Sequence, residues 1–300
     1  MSFTAGDVKK LREMTGAGMM ACKEALSSTS GNIDEAVDYL RKKGLAAAEK
    51  KQGRIAAEGA VVPLVNGTKA VVVEVNCETD FVSKGDDFQN FAKNVASFAL
   101  ENGSADINVL KDAKSTDVNE LTLKCGEKID IRRLETLEVS GEGLIGEYNH
   151  GGRIGVVVAL STTGGINAKA EVAELAKDLA MHVAAADPKF LASTDIDENF
   201  KKREADIYSA QLKEQGKPEN MIGKIVEGKL NKLASEVCLL EQKFVKDPDT
   251  SVSKLVANVA KAAGGEIKVV AFKKLNLGEG IEKKEDNLAE EVAKMTGMKN

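Results

Sequence analysis

The chain has 300 residues, beyond one typical domain, and its 43% apolar and 30% charged content matches an ordinary globular protein, which excludes a disordered or fibrous chain. With 4% aromatics and no Trp, the core is expected to be aliphatic, and pockets lined by stacked rings or base-stacking platforms for single-stranded nucleic acid are disfavoured. The net charge of -5, from 42 basic and 47 acidic residues interspersed, leaves no global footprint for a phosphate backbone, so no direct nucleic-acid partner is expected.

Asp7 to Gly44 reads as a unit of three short helices. Val8, Leu11 and Met14 recur at helical spacing, Thr15-Gly16-Ala17-Gly18 breaks the run, and Met19 to Ser27 resumes it. Asn32 is placed to cap a third helix with Ala36, Val37 and Leu40 on its apolar face, and Glu35 three residues on gives a capping-box-like pattern. A unit of roughly 40 residues buries little core and suits docking better than catalysis. Met19 and Met20 divide between core and a pliable contact patch. Lys42 to Arg54 continues as a helix or linker with a solvated basic face.

From Ala60 the period changes to two. Ala60 to Val65, the dipeptide Asn66-Gly67, and Lys69 to Cys77 predict a β-hairpin, and Phe88, Phe91, Val95 and Phe98 predict a helix packed on it. The plan repeats: Leu144 to Tyr148, a turn at His150-Gly151-Gly152, Ile154 to Leu160, and a helix from about Ala168 to Ala186. Val71-Val72-Val73 and Val156-Val157-Val158 occupy equivalent places, which predicts two duplicated α+β subdomains packed together.

Asp197 to Glu214 and Pro218 to Ser235 predict an antiparallel helical hairpin that protrudes as an arm. Its narrow stripes are Phe200, Ile207 and Leu212 on one helix and Ile222, Val226, Leu230 and Leu233 on the other. A helix at Val252 to Ala263, a strand at Ile267 to Phe272 and a terminal helix at Asn287 to Met295 complete the chain.

The motifs for chemistry are missing. There is no phosphate loop, dinucleotide fingerprint, zinc-protease helix, nucleophile elbow or kinase set, so neither a bound cofactor nor an enzyme activity is expected. Cys22, Cys77, Cys125 and Cys238 lack zinc or disulfide-exchange spacing, and His150 and His182 are too few for a metal site. His150 reads as a solvated turn residue and His182 as packed on a helix flank. The start of the chain lacks a signal-peptide core and no later run is long enough to span a membrane, so a cytoplasmic protein with no membrane partner is expected.

Cys77-Glu78-Thr79-Asp80-Phe81-Val82 reads as a loop at a strand end, and three readings stay open on local pattern. Phe81 can tuck into the core with Asp80 facing a helix N-terminus. Glu78, Asp80, Asp86 and Asp87 can form a metal site, although no cage spacing is visible. Or Phe81 and Asp80 can enter a partner's crevice as an anchor.

Nearly end to end, the chain resembles the bacterial elongation factor Ts family. The resemblance is carried by Leu11 to Met20 with Cys22 to Leu26, Glu74 to Val82, Tyr148 to Gly155, Met181 to Ala185 and Gly278 to Lys283. It favours the anchor reading. It implies a ubiquitin-associated-like N-terminal domain (1–54 with linker), core subdomains at 55–143 and at 144–196 plus 236–277, a coiled-coil arm at 197–235 and a C-terminal helical module at 278–300.

The implied activity is guanine-nucleotide exchange on GDP-bound elongation factor Tu, in a one-to-one complex or a dimer of heterodimers. By position, Thr79, Asp80, Phe81 and Val82 would disturb the partner's magnesium site, Met19, Met20 and Lys23 would dock its GTPase domain, and Gly126 and His150 would add contacts. Cys125 departs from the larger aliphatic residue implied beside Gly126. A scaffold or chaperone-like protein without exchange activity is the alternative.

Overall fold

The computed structural model describes residues 3–103 and 105–282; the helix expected at Asn287 to Met295 lies outside them. Three helices come first: α1 (Ala5–Thr15), α2 (Met19–Ser28) and α3 (Ile33–Lys51). Thr4 and Asp7 form a reciprocal capping box that starts α1 earlier than its apolar stripe suggests. Asn32 caps α3 by accepting from the backbone N–H groups of Asp34 and Glu35, as its sequence position predicts. Leu11, Cys22, Leu26, Ala36 and Leu40 form the small core between them. α3 runs on through the segment read as helix or linker, and Gly44 permits a close approach to a later helix there, since an added Cβ would fall 3.1 Å from the Asn119 carbonyl oxygen.

Strands β1 (Glu58–Asn66) and β2 (Lys69–Cys77) pair as the expected hairpin. A single helical turn, α4 (Asp80–Ser83), and the long helix α5 (Asp86–Asn102) follow. The next elements were not legible in sequence: α6 (Ile107–Ala113), α7 (Ser115–Cys125) and β3 (Asp130–Glu138), which completes the sheet in the order β1-β2-β3. The second set is β4 (Gly143–His150), β5 (Ile154–Thr162) and α8 (Ala170–Ala186). The arm is α9 (Glu198–Glu214) and α10 (Glu219–Val237), after which come β6 (Lys243–Phe244), β7 (Asp247–Ser251), α11 (Val252–Ala263) and β8 (Ile267–Asn276). β8 returns to give the second sheet its order β4-β5-β8.

The valine triplets explain the layering. In β2, Val71 and Val73 face Phe88, Phe91 and Val95 of α5, while Val72 faces the other sheet. In β5, Val156, Val158 and Leu160 face α8, while Val157 and Ala159 meet Val61, Ala70 and Val72. Alternation along a strand thus serves both faces of each sheet, giving two small antiparallel sheets face to face with a helix outside each. The close approach depends on Gly155, whose Cβ would fall 2.6 Å from a Val61 methyl group.

A bulge links the sheets to the chain's later part. The register shifts between Glu74 and Val75, so Arg132 is the extra residue on β3 and both Arg132 and Arg133 reach Glu74. Glu74 is completely buried and also accepts from the Gly278 backbone N–H at 2.8 Å. Arg133 continues to Glu279 at 3.0 Å, so the Gly278-Glu279 turn is strapped to the core by charge.

In the arm, Leu212, Ile222 and Val226 pack with Ala205, Tyr208, Ile225 and Leu230. Ile207, expected in this seam, points outward, because Ala205, Tyr208 and Leu212 occupy the inward rows of α9. Phe200 instead stacks edge-on against Phe190 at the arm's base, 5.1 Å between centroids. His182, read as packed on a helix flank, is fully buried on α8. The Val245 N–H donates to its Nδ1, so its Nε2–H donates to Gln242 Oε1 at 2.9 Å.

Candidate functional site

The segment read as a loop after β2 is one turn of helix, α4, and it carries Asp80, Phe81 and Val82. Thr79 is its N-cap and accepts from the Val82 N–H at 3.4 Å. The direction of the turn bears on the first of the three open readings. Phe81 is 87% exposed, so it does not enter the core; Val82 and Ser83, on the inward side, do the packing. Asp80 binds the Lys84 ammonium at 2.6 Å one turn later, and that contact holds its carboxyl below the ordinary carboxylate value.

The proposed carboxylate metal site dissolves for the same reason. Glu78 pairs with Arg54 at 3.3 Å and Asp87 with Lys124 at 2.7 Å, while Asp80 is occupied by Lys84. Among the described residues no group of three or more His, Cys, Asp and Glu is placed to hold a metal ion.

The mount of α4 comes from a distant part of the chain. α7 ends at Gly126, whose φ of +76° turns the backbone sharply with no neighbour within 4 Å of an added Cβ. The next residue, Glu127, then reaches back: its Oε2 accepts from the N–H groups of Glu78 and Thr79, each at 3.0 Å, and its Oε1 accepts the Thr79 hydroxyl at 2.6 Å. Glu78 answers by accepting the Lys128 N–H at 2.7 Å. Lys128 Nζ in turn donates to the carbonyl oxygens of Gln52 and Arg54, just past α3. Sequence reading missed Glu127, Lys128 and Arg54 as parts of this mount, and took Glu78 only as a candidate metal ligand, since the partners lie 24 to 76 positions apart.

Cys125, half-buried beside Gly126, packs against the core under α5. Cys77 is sealed below the turn, and burial, with the Glu127 carboxylate as the next influence, pushes its thiol to about 12. It is a protonated, unreactive thiol at neutral pH.

The remaining site residues fall in two places. His150 ends β4, exposed, with Nδ1 3.1 Å from the Tyr148 hydroxyl. The turn after it, Gly151-Gly152-Arg153, lines one cleft with Asp80, Ser83 and Lys84 of the Phe81 turn, so these two parts are neighbours. The cleft wall is stitched by Val61 N–H to the Gly152 oxygen at 2.8 Å and by Asn149 to the Val61 oxygen at 3.0 Å. Met19 and Lys23 form a separate patch, lining an apolar hollow with Phe3, Val8 and Arg12, and Met20 beside them is 75% exposed. Lys124 spans the two regions, pairing with Asp87 while its side chain lies where a Cβ added at Gly16 would come within 3.4 Å of it.

A large aromatic held in solvent on a fixed mount, beside an exposed methionine patch, is the form of a recognition surface on a mixed α+β scaffold. The model of the family described as Elongation factor TS matches residues 78–279. The chain is similar to the elongation factor Ts of Magnetococcus marinus, 46% identical with 98% of this chain and 99% of the relative aligned. It is equally similar, at 46%, to those of Clostridioides difficile, over 98% of each chain, and Bradyrhizobium diazoefficiens, over 99% of each. The chain belongs to the elongation factor Ts family, and with it to the translation elongation factors. No helix among the described residues is long and apolar enough to cross a membrane.

Proposed function

We propose that the protein is a cytoplasmic guanine-nucleotide exchange factor that binds GDP-bound elongation factor Tu and promotes replacement of GDP by GTP. The observation that carries this reading is Phe81, 87% exposed yet fixed through Thr79 to Glu127. Leaving a Phe in water forgoes about 2 kcal/mol of burial, which a partner's crevice recovers.

The mechanism follows from charge. Magnesium neutralises the phosphates of a bound nucleotide, so a wedge that disturbs the ion's surroundings leaves them poorly compensated and lets GDP go. Phe81 supplies the wedge, with Thr79, Asp80 and Val82 around it. Met19, Met20 and Lys23 dock the GTPase domain through a pliable apolar patch edged by cations, in an N-terminal three-helix unit of the ubiquitin-associated type. Gly126 and His150 add contacts beside the wedge. The factor itself makes and breaks no covalent bond. Because coupling free energy is reciprocal, GDP must weaken the factor to the degree that the factor weakens GDP, and incoming GTP can release it.

The test is the release rate of a fluorescent GDP from elongation factor Tu with and without this chain. An exchange factor accelerates it, whereas an unchanged rate supports a scaffold or chaperone-like role instead.

A further inference from the structure

We propose that Glu127 is the positioning residue of the exchange reaction, acting through Thr79 to aim Phe81; this rests on the exchange reading above. Four residues of helix have no cooperative stability of their own, so α4 cannot hold a direction unaided. Its N-cap bond, Thr79 to the Val82 N–H, is long at 3.4 Å. What fixes the turn is the Glu127 carboxylate, which takes three donors from two consecutive residues: the N–H groups of Glu78 and Thr79 and the Thr79 hydroxyl. Bonds to an ionised acceptor are the stronger kind, and three from one group fix both position and orientation.

The Thr79 hydroxyl is also the hinge of the logic. Its proton is committed to Glu127 at 2.6 Å, which turns an oxygen lone pair toward the Val82 N–H and so orders the peptide units on either side of Phe81. The other end of the clasp is tied to packed elements. Glu127 follows the left-handed Gly126 corner of α7, α7 lies against α3, and Lys128 returns to the Glu78 carboxylate and to the Gln52 and Arg54 carbonyl oxygens. The wedge is thereby referenced to the end of α3, the last helix of the unit whose α2 bears Met19, Met20 and Lys23, rather than only to the strand it follows.

Such a role has a signature. Misaiming a reacting group by about 1 Å costs on the order of 100-fold in rate, while docking surfaces elsewhere keep their affinity. Glu127→Ala is therefore expected to lower the maximal rate of stimulated GDP release by about tenfold or more, with the half-saturating concentration of factor moved by less than about twofold. Glu127→Gln keeps an oxygen for the two backbone donors and an amide for the Thr79 oxygen, and is expected within about threefold of the wild-type rate. Made in a Phe81→Ala background, Glu127→Ala should slow release no further, because it has no wedge left to aim.

Stopped-flow release of fluorescent GDP from elongation factor Tu, across the two single variants, the double variant and Glu127→Gln, reads all of this. A wild-type maximal rate for Glu127→Ala, or losses that multiply in the double variant, overturns the assignment. Should Phe81→Ala itself release GDP at the wild-type rate, the exchange reading is what fails; should Phe81→Ala be slow and Glu127→Ala fast, only the role given to Glu127 fails. If Glu127→Ala melts below the assay temperature, Thr79→Val, which removes the hydroxyl alone, carries the same expectation and the same refutation.

Discussion

The Glu127 carboxylate accepts the Thr79 hydroxyl at 2.6 Å across 48 residues of sequence. A second carboxylate, the fully buried Glu74, performs a related task for the later part of the chain by gathering Arg132, Arg133 and the Gly278 N–H. Both cases show short polar segments held by one acidic side chain reaching from a neighbouring element. Each yields a measurable consequence.

Removing Arg133 leaves the sealed Glu74 charge with Arg132 as its remaining cation. Arg133→Met should therefore destabilise the fold by about 2–4 kcal/mol in urea unfolding, with Glu74→Gln partly restoring it in the double variant.

Burial lowers the His182 pKa from its ordinary 6.5, so the folded state keeps this imidazole neutral while the unfolded chain protonates. Its contribution to stability is complete above pH 6.5 and is lost as pH falls below that value, levelling off once the folded-state pKa is passed. The slope cannot exceed about 1.4 kcal/mol per pH unit, and His182→Asn should flatten it in urea midpoints measured between pH 7.5 and 5.

The arm has its own apolar seam around Leu212, Ile222 and Val226. Leu212→Ala is expected to weaken that seam by about 2–3 kcal/mol, raising amide hydrogen exchange across 198–237 while protection in β2 and β5 stays at the wild-type level.

Gly126 tests the corner that aims Glu127. Space for a methyl group is present, so the cost of Gly126→Ala is the left-handed backbone alone, about 1 kcal/mol in thermal unfolding, and a larger residue should cost little more until it meets a partner.

Period and punctuation made much of this fold legible in the sequence. The Asn66-Gly67 hairpin, the two valine triplets, the Asn32 cap and the Gly216-Lys217-Pro218 break in the arm each carry a local signal that survives folding. β3 was hidden because its Arg132-Arg133 pair breaks alternation, and only the bulge at Glu74 explains why two charges can follow one another in a strand. α6 and α7 were hidden by short, weakly amphipathic stripes. For the candidate site, the residues came from the family resemblance, whereas local pattern left the exposure of Phe81 open, and the helical turn that carries it is tied to Glu127, which nothing near Phe81 announces.

The most direct measurement is GDP release from elongation factor Tu driven by Phe81→Ala. With the side chain 87% exposed, the variant should fold and melt as wild type does, yet its maximal stimulation of release should fall by about tenfold or more. Stimulation at the full wild-type rate by a well-folded Phe81→Ala protein contradicts the account.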